Sequence, residues 1–343
     1  MPDRDREHSK RRSGSFVKQP AVLITSAGRR TSLLGSFVKA AQGRGWRVLA
    51  GDRDPLAPTL YLADEGLKLP SLSEHDYIPC LLELVRERSI RMIVPTIDTE
   101  LGLLARHADD FRKEGCVAVI SSGRLIEIAG DKWLTMQEYA ARAVRTPKSW
   151  LPDALPSHGL PESLFVKPRD GSASQHAYRV QSSELARKLP EVPNAIVQEE
   201  LRGNEITIDA LIDLNGQPLH YVPRVRIRTL GGESIQGVTI AGDEIRDWII
   251  HCLNVTAELG GVGPITMQAF LTPDGPVLSE VNPRFGGGFP LTLAAGGAYP
   301  DWLIAMVEGE KIDPRFGEYR RGLYMTRYYV EFFTDKPLWE AMQ

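Results

Sequence analysis

The sequence predicts two linked architectures, a parallel α/β unit followed by an α+β region of hairpins and interspersed helices. Three observations carry this. Short apolar strands alternate with helical runs from residue 20 to about 125; beyond Pro147 the pattern becomes period-two strands punctuated by Gly, Pro and Asp turns; and the segment 265–288 reads as a hairpin with polar side chains on one face.

The ordered pattern opens with AVLITSAGRR, an apolar strand ending in a Gly turn, and continues into SLLGSFVKAAQGRG with helical spacing. WRVLAGD is a second strand, followed by the loop DPLAPTLYLAD. YIPCLLELVRERS is a helix, IRMIVPT a strand, ELGLLARHADDFRKEG a helix and CVAVISS a strand. Such alternation implies a Rossmann-like parallel sheet with helices on both faces. Its first turn, Ser26-Ala27-Gly28-Arg29-Arg30, is neither GxGxxG nor a Walker A loop, so the unit is not assigned as a dinucleotide site. DKWLTMQEYAARAVRTP then predicts a helix stopped by Pro147. SLFVKPRDGSASQHAYRVQ reads as strand, Gly/Ser loop, strand, and ELARKL as a short helix. IVQEELRGNEITIDALIDLNGQPL supplies further strands, and EIRDWIIHCLNVTAELG and PDWLIAMVEG are helices on either side of the hairpin.

Composition narrows the function. The 343 residues carry a net charge of -3 with 25% charged side chains, which gives no basic excess for nucleic acid. No apolar run approaches the roughly 20 residues needed to span a bilayer. Cys80, Cys116 and Cys252 lack CxxC spacing and read as buried thiols of a reducing, cytoplasmic compartment. Residues 1–19, charged and without an apolar core, read as a disordered tail.

Chemistry concentrates in the hairpin. About its turn Pro273-Asp274-Gly275-Pro276, symmetric pairing sets Gln268 opposite or diagonal to Glu280, with Cβ atoms about 5 to 8 Å apart. Asn282, two residues on, leaves the same face. Three oxygen-bearing side chains converge there, and hard cations such as Mg²⁺ take oxygen ligands together with substrate phosphate. Pro283 ends the ladder and sets Arg284 at the rim. Read instead as polar residues on the wet face of a hairpin, the set leaves Asn-Pro-Arg-Phe-Gly-Gly-Gly unexplained.

Upstream, Lys167 ends the strand LFVKP and enters the loop Gly171-Ser172-Ala173-Ser174, an arrangement suited to phosphate, with Ser172 and Ser174 beside it. Lys132, after Asp131, is a second candidate cation, and Asp131 is equally a helix N-cap. The acids around Gly203 in QEELRGNE could serve adenine and ribose or simply a polar turn. Arg224, Arg226 and Arg228 alternate along one strand, and three guanidiniums on one face require an anion or carboxylates to neutralise them.

In this order the motifs resemble the ATP-grasp superfamily, most closely one synthetase module of the carbamoyl phosphate synthetase large subunit. The likeness covers residues 20–310 and is strongest from Gln268 to Arg284. It implies an ATP-grasp fold with a Rossmann-like pre-ATP-grasp domain at 20–125, a lid subdomain at 126–197 and a catalytic subdomain at 198–343. It implies ATP with Mg²⁺, Mn²⁺ being the alternative ion. Lys132 and Lys167 would meet phosphates, Glu199 and Leu201 adenine, and Glu205 ribose. Gln268, Glu280 and Asn282 would hold metal, and Arg284 with Lys167 would serve phosphoryl transfer. SAGRR and PTIDTE would face the acceptor, making Arg29, Asp98 and Glu100 substrate contacts alongside Arg226 and Arg228. The implied activity is an ATP-dependent ligase that activates a carboxylate as an acyl phosphate and joins it to a nitrogen nucleophile. Its partners are small-molecule acids and amines, with no nucleic acid or membrane, and a homodimer is the implied assembly. One module without a glutaminase sequence argues against carbamoyl phosphate synthesis by this chain alone. The rivals are an acyl-phosphate-forming enzyme without amide formation and a nucleotide-binding sensor or scaffold.

Overall fold

The computed structural model describes residues 19–171, 176–230 and 233–339. Its first sheet is parallel, built from β1 (Ala21–Thr25), β2 (Arg47–Asp52), β3 (Glu65–Lys68), β4 (Ile90–Pro95) and β5 (Val117–Ala118) in the order β3-β2-β1-β4-β5. All five residues of β1 are buried, as expected of a strand covered by helices on both faces. The order reverses between β1 and β4. Loops at the carboxyl ends of strands flanking such a reversal form a crevice, and here they are the segments SAGRR and PTIDTE.

Local differences from the sequence reading have local causes. The helix expected through 100–115 breaks at His107 into Asp98–Arg106 and Ala108–Lys113. The helix expected to run to Pro147 spans only Lys132–Ala140, because Ala143 adopts φ 58 and Val144, buried, donates back to Tyr139 O at 3.0 Å. β5 is two residues long, and Glu65–Lys68 forms an edge strand within a segment that lacks strand patterning.

A four-stranded antiparallel sheet follows: β6 (Ser149–Trp150), β7 (Ser163–Pro168), β8 (Tyr178–Gln181) and β9 (Ala195–Glu199), ordered β6-β9-β7-β8 over its own small core around Leu164, Val166 and Val197. The third sheet comprises β10 (Asn204–Ile212), β11 (Pro218–Leu230), β12 (Glu233–Thr239), β13 (Gly263–Thr272), β14 (Gly275–Asn282) and β15 (Tyr324–Thr326), in the order β14-β13-β10-β11-β12-β15. Along β10 the even residues Ile206, Ile208, Ala210 and Ile212 join a core with the helices Gly123–Gly130 and Arg246–Glu258. The odd residues Glu205, Thr207 and Asp209 face the other way. Period two thus gives this sheet one apolar and one functional face. By core membership Ile128, Tyr139 and Val144, which the resemblance assigns to a lid subdomain at 126–197, pack on this six-stranded sheet together with Leu125. The helices Phe289–Ala294 and Tyr299–Val307 share a core with β1, β2 and the helix Thr31–Gln42, tying the first sheet to the third.

Cys116 and Cys252 are buried thiols and Cys80 is half-buried; burial pushes the Cys116 thiol up to about 12. Among the described residues no helix is long and apolar enough to cross a membrane.

Gly260 sets the approach of two helices. It has φ +95, and a Cβ there would lie 2.2 Å from Ser122 Oγ. That hydroxyl caps Gly123–Gly130, accepting from Leu125 N at 3.2 Å and donating to Leu259 O at 3.0 Å. Gly260→Ala is expected to destabilise the chain by about 2 kcal/mol or more, read as a lower urea midpoint at unchanged slope.

Candidate active site

Antiparallel register builds the site. Gln268 on β13 pairs with Glu280 on β14, Thr207 on β10 pairs with Gln268, and Arg224 on β11 pairs with Thr207. Glu280, Gln268, Thr207 and Arg224 therefore form one row across four strands, on the face opposite the apolar core. Two residues along, Asn282, Thr266 and Asp209 form the next row. A bulge between Gln268 and Ala269 leaves this polar set intact while restoring Leu278 to the core.

The row floors a cleft of about 410 Å³ roofed by the four-stranded sheet. Lys132, Lys167, Glu199, Leu201, Glu205, Arg226, Gln268, Glu280, Asn282 and Arg284 all line it. Burial, reinforced by the neighbouring Lys132 ammonium and opposed by Glu280 and Glu205, lowers Lys167 to about 8. The Lys132 ammonium donates to Gly171 O at 2.9 Å and Arg169 O at 3.3 Å, anchoring the end of β7 to the helix Lys132–Ala140; burial lowers its pKa too. Asp131 does cap that helix, accepting from Trp133 N at 2.8 Å. Burial works against ionisation there, yet Arg169 and the helix amides hold the Asp131 carboxyl below its ordinary value.

Other expected residues lie elsewhere. Glu100 is fully buried, not a surface carboxylate: it accepts from Tyr77 Oη at 2.6 Å and Ser26 Oγ at 2.9 Å, and burial raises its pKa. It holds the first βα turn and is closed to substrate. Arg228 is exposed and outside the cleft because a bulge between Arg226 and Arg228 breaks the alternation. Within that arginine row carboxylates do the neutralising: Arg224 pairs with Asp209 at 2.7 Å and Arg226 with Glu205. Arg29 is exposed on a shallow neighbouring depression, whereas Arg30 lines the cleft and donates to Phe285 O at 3.1 Å. Asp98 meets a cation, but one of the chain's own: Arg284 Nε and Nη2 each donate to its carboxylate at 2.7 Å, bridging the first and third sheets' domains. Ser172 and Ser174 lie outside the described residues, as do residues 1–18.

Sequence reasoning missed Thr207, Asp209 and Thr266; Arg224 stood in the arginine row and Arg30 in SAGRR, though neither was singled out as a site residue. Thr207 and Asp209 continue the alternation from Glu205, which is the signal that could have found them.

No three His, Cys, Asp or Glu side chains converge as a metal site among the described residues. Glu280 is the carboxylate of the set, with Gln268 and Asn282 as amide donors, and Asn282 Nδ2 donates to Glu280 Oε1 at 2.9 Å. One carboxylate plus neutral oxygens suits Mg²⁺, which takes one or two carboxylates and completes its shell with phosphate and water.

Two different family models match the chain in succession: "PylC-like, N-terminal domain" over residues 22–120 and "ATP-grasp in the biosynthetic pathway with Ter operon" over residues 191–328. The second match covers the six-stranded sheet that floors the cleft and assigns residues 191–328 to the ATP-grasp superfamily. A curated relative is the formate-dependent phosphoribosylglycinamide formyltransferase of Synechococcus sp. (strain CC9605), 27% identical over 76% of this chain and 71% of the relative. In fold it is similar to the biotin carboxylase domain of Hydrogenobacter thermophilus 2-oxoglutarate carboxylase, solved with MgADP and bicarbonate, with a TM-score of 0.71, 15% identity and 88% and 73% coverage of the two chains. The L-amino acid ligase of Bacillus licheniformis shares the fold with a TM-score of 0.65, 18% identity and 84% and 74% coverage.

Lys167 gives the site a pH signature. Its folded pKa of about 8 lies below that of free lysine, so the empty chain gains stability as pH rises above 8, while a phosphate would lose its cationic partner. ATP affinity is expected to hold below about pH 8 and to fall by up to about tenfold per unit above it, with proton uptake on binding near that pH. Calorimetry in buffers of different ionisation enthalpy measures this. A profile equally steep in Lys167→Met would remove Lys167 from the phosphate site.

Proposed function

We propose that ATP binds between the four-stranded lid and the six-stranded sheet, and that this chain couples a small carboxylic acid to an amine. The observation that carries the reading is the convergence of Lys132, Lys167 and Glu280, from a helix start, a lid strand and the catalytic hairpin, on one cleft. Two lysines suit the phosphates, the strand edge at Glu199 and Leu201 suits adenine, and Glu205 suits the ribose hydroxyls. Gln268, Glu280 and Asn282 would hold Mg²⁺ or Mn²⁺, which when bound neutralises phosphate charge and acts as a Lewis acid.

A carboxylate oxygen of the acid attacks the γ-phosphorus and the bond to the ADP oxygen breaks, giving acyl phosphate and ADP. Lys167 and Arg284 offset charge on the transferring group. Arg284 is aimed by Asp98, whose two-point grip fixes the guanidinium plane. The amine then attacks the acyl carbon, phosphate leaves with the bonding pair, and the nitrogen proton passes to solvent or phosphate. Water must be excluded in the interval, since it would hydrolyse the mixed anhydride, and the lid sheet over the cleft is placed to do so.

The formyltransferase relative makes formate with phosphoribosylglycinamide the first pair to assay, and the L-amino acid ligase makes pairs of amino acids the next. A cytoplasmic homodimer fits the unpaired thiols and the dimeric biotin carboxylase domain of similar fold. ADP release across acid and amine pairs, with mass detection of product, tests the reading. Glu280→Ala is expected to lower turnover by about two orders of magnitude or more, and Arg284→Lys to lower kcat more than it raises KM for ATP. Equal ADP release by wild type and Glu280→Ala across the panel would sink the proposal.

A further inference from the structure

The metal half of the catalytic row, Glu280 and Gln268, continues into Thr207 and Arg224, to which the mechanism above gives no role. Both are 2% exposed and both line the cleft. Thr207 Oγ1 and Arg224 Nη1 have no hydrogen-bond partner among the described residues. The rest of the Arg224 guanidinium is engaged: Nε and Nη2 donate to Asp209 at 2.7 and 3.4 Å. A buried donor left unmade costs about 1 to 3 kcal/mol. Two of them on facing register positions, at the wall of one cavity, mark the place of an absent acceptor.

The acceptor's chemistry follows from the charges. Arg224 Nη1 and the Thr207 hydroxyl are both donors, so they call for an oxygen with free lone pairs. Asp209 already neutralises part of the guanidinium charge, so a phosphate dianion would leave more uncompensated charge there than a carboxylate monoanion. One face of the guanidinium is closed, because Gly288 lies flush against it and a Cβ at that position would meet Cζ at 2.4 Å. A ligand is therefore received at the unpartnered Nη1 edge.

We propose that Thr207 and Arg224 form the subsite for the carboxylate that is activated, selecting a monoanionic acid and holding one carboxylate oxygen while the other faces the phosphoryl group. This rests on the ligase reading above. Thr207→Val keeps the side-chain shape and removes a hydroxyl that has no partner among the described residues. Arg224→Lys keeps a cation beside Asp209 and removes Nη1. With formate, acetate and glycine as acid probes, both variants are expected to raise KM for the acid about tenfold or more while KM for ATP stays within about twofold. Thr207→Val should unfold at an unchanged or higher temperature, so the test survives if Arg224→Lys folds poorly. A rise in KM for ATP instead, or no change in either constant, overturns the subsite.

A second measurement needs no turnover. With ADP present, sodium acetate or formate should raise the melting temperature of the wild type beyond sodium chloride at equal ionic strength, and Thr207→Val should lose that increment. Protection lost in the variant without any acid-dependent ADP release would uphold the subsite and reject the ligase reading. Acid-dependent turnover indifferent to Thr207→Val would reject the subsite alone.

Discussion

Asp209 is the charge round which the cleft is built. Its carboxylate takes Arg224 Nε at 2.7 Å and Thr292 Oγ1 at 2.6 Å, and its carbonyl takes Tyr299 Oη at 3.1 Å. Thr266 Oγ1 reaches Arg284 O at 3.0 Å from the same network. Asp209 therefore joins three sheet strands, both C-terminal helices and the loop that carries Arg284. Removing one partner from so buried a pair costs about 3 to 5 kcal/mol because the other charge stays behind. Glycines at 286 and 288 follow from it: a Cβ at Gly286 would meet Thr266 Oγ1 at 2.8 Å and Asp209 Oδ1 at 2.9 Å. The run after Arg284 is thus glycine-rich because a loop must lie flat on a buried ionic network.

That fixed base contrasts with the lid. The four-stranded sheet has a separate small core, and its ties to the start of the helix Lys132–Ala140 are polar: the Lys132 ammonium to carbonyls at the end of β7, and Arg169 to Asp131. Polar ties in a wet cleft exchange with water at little cost, whereas the Asp209 network does not. Positioning accordingly belongs to the six-stranded sheet. Asp98 adds a third anchor, from the domain whose strand order reverses at the crevice, so Arg284 is held by one domain and carried by another.

Residues were legible in the sequence where the constraint is local. Gln268 and Glu280 are joined by a short turn, so period two and the turn sequence suffice to oppose them, and a bulge between them shifts the ladder without changing their face. Lys167 is legible as a cation ending an apolar strand. Arg228 was misread because a bulge in β11 is invisible to a pattern that assumes strict alternation. Glu100 was misread because the partner that buries it, Tyr77, lies 23 residues away on another helix.

Thr207 was harder still, for a reason of topology. Its row meets the metal hairpin because β10 lies beside β13, a strand distant from it in sequence. A threonine in a strand carries no signature of its own, and its meaning arises only from the neighbours that the strand order supplies. The same order explains why the row is divided chemically. The β13–β14 hairpin brings an acid and two amides, which suit a cation, while β10 and β11 bring a hydroxyl and a half-neutralised guanidinium, which suit an anion. On the proposed reading a metal-bound phosphoryl group and a carboxylate approach each other within one cleft despite their like charges, and the row offers metal-donor oxygens on β14 and β13 and unpartnered N–H and O–H donors on β11 and β10.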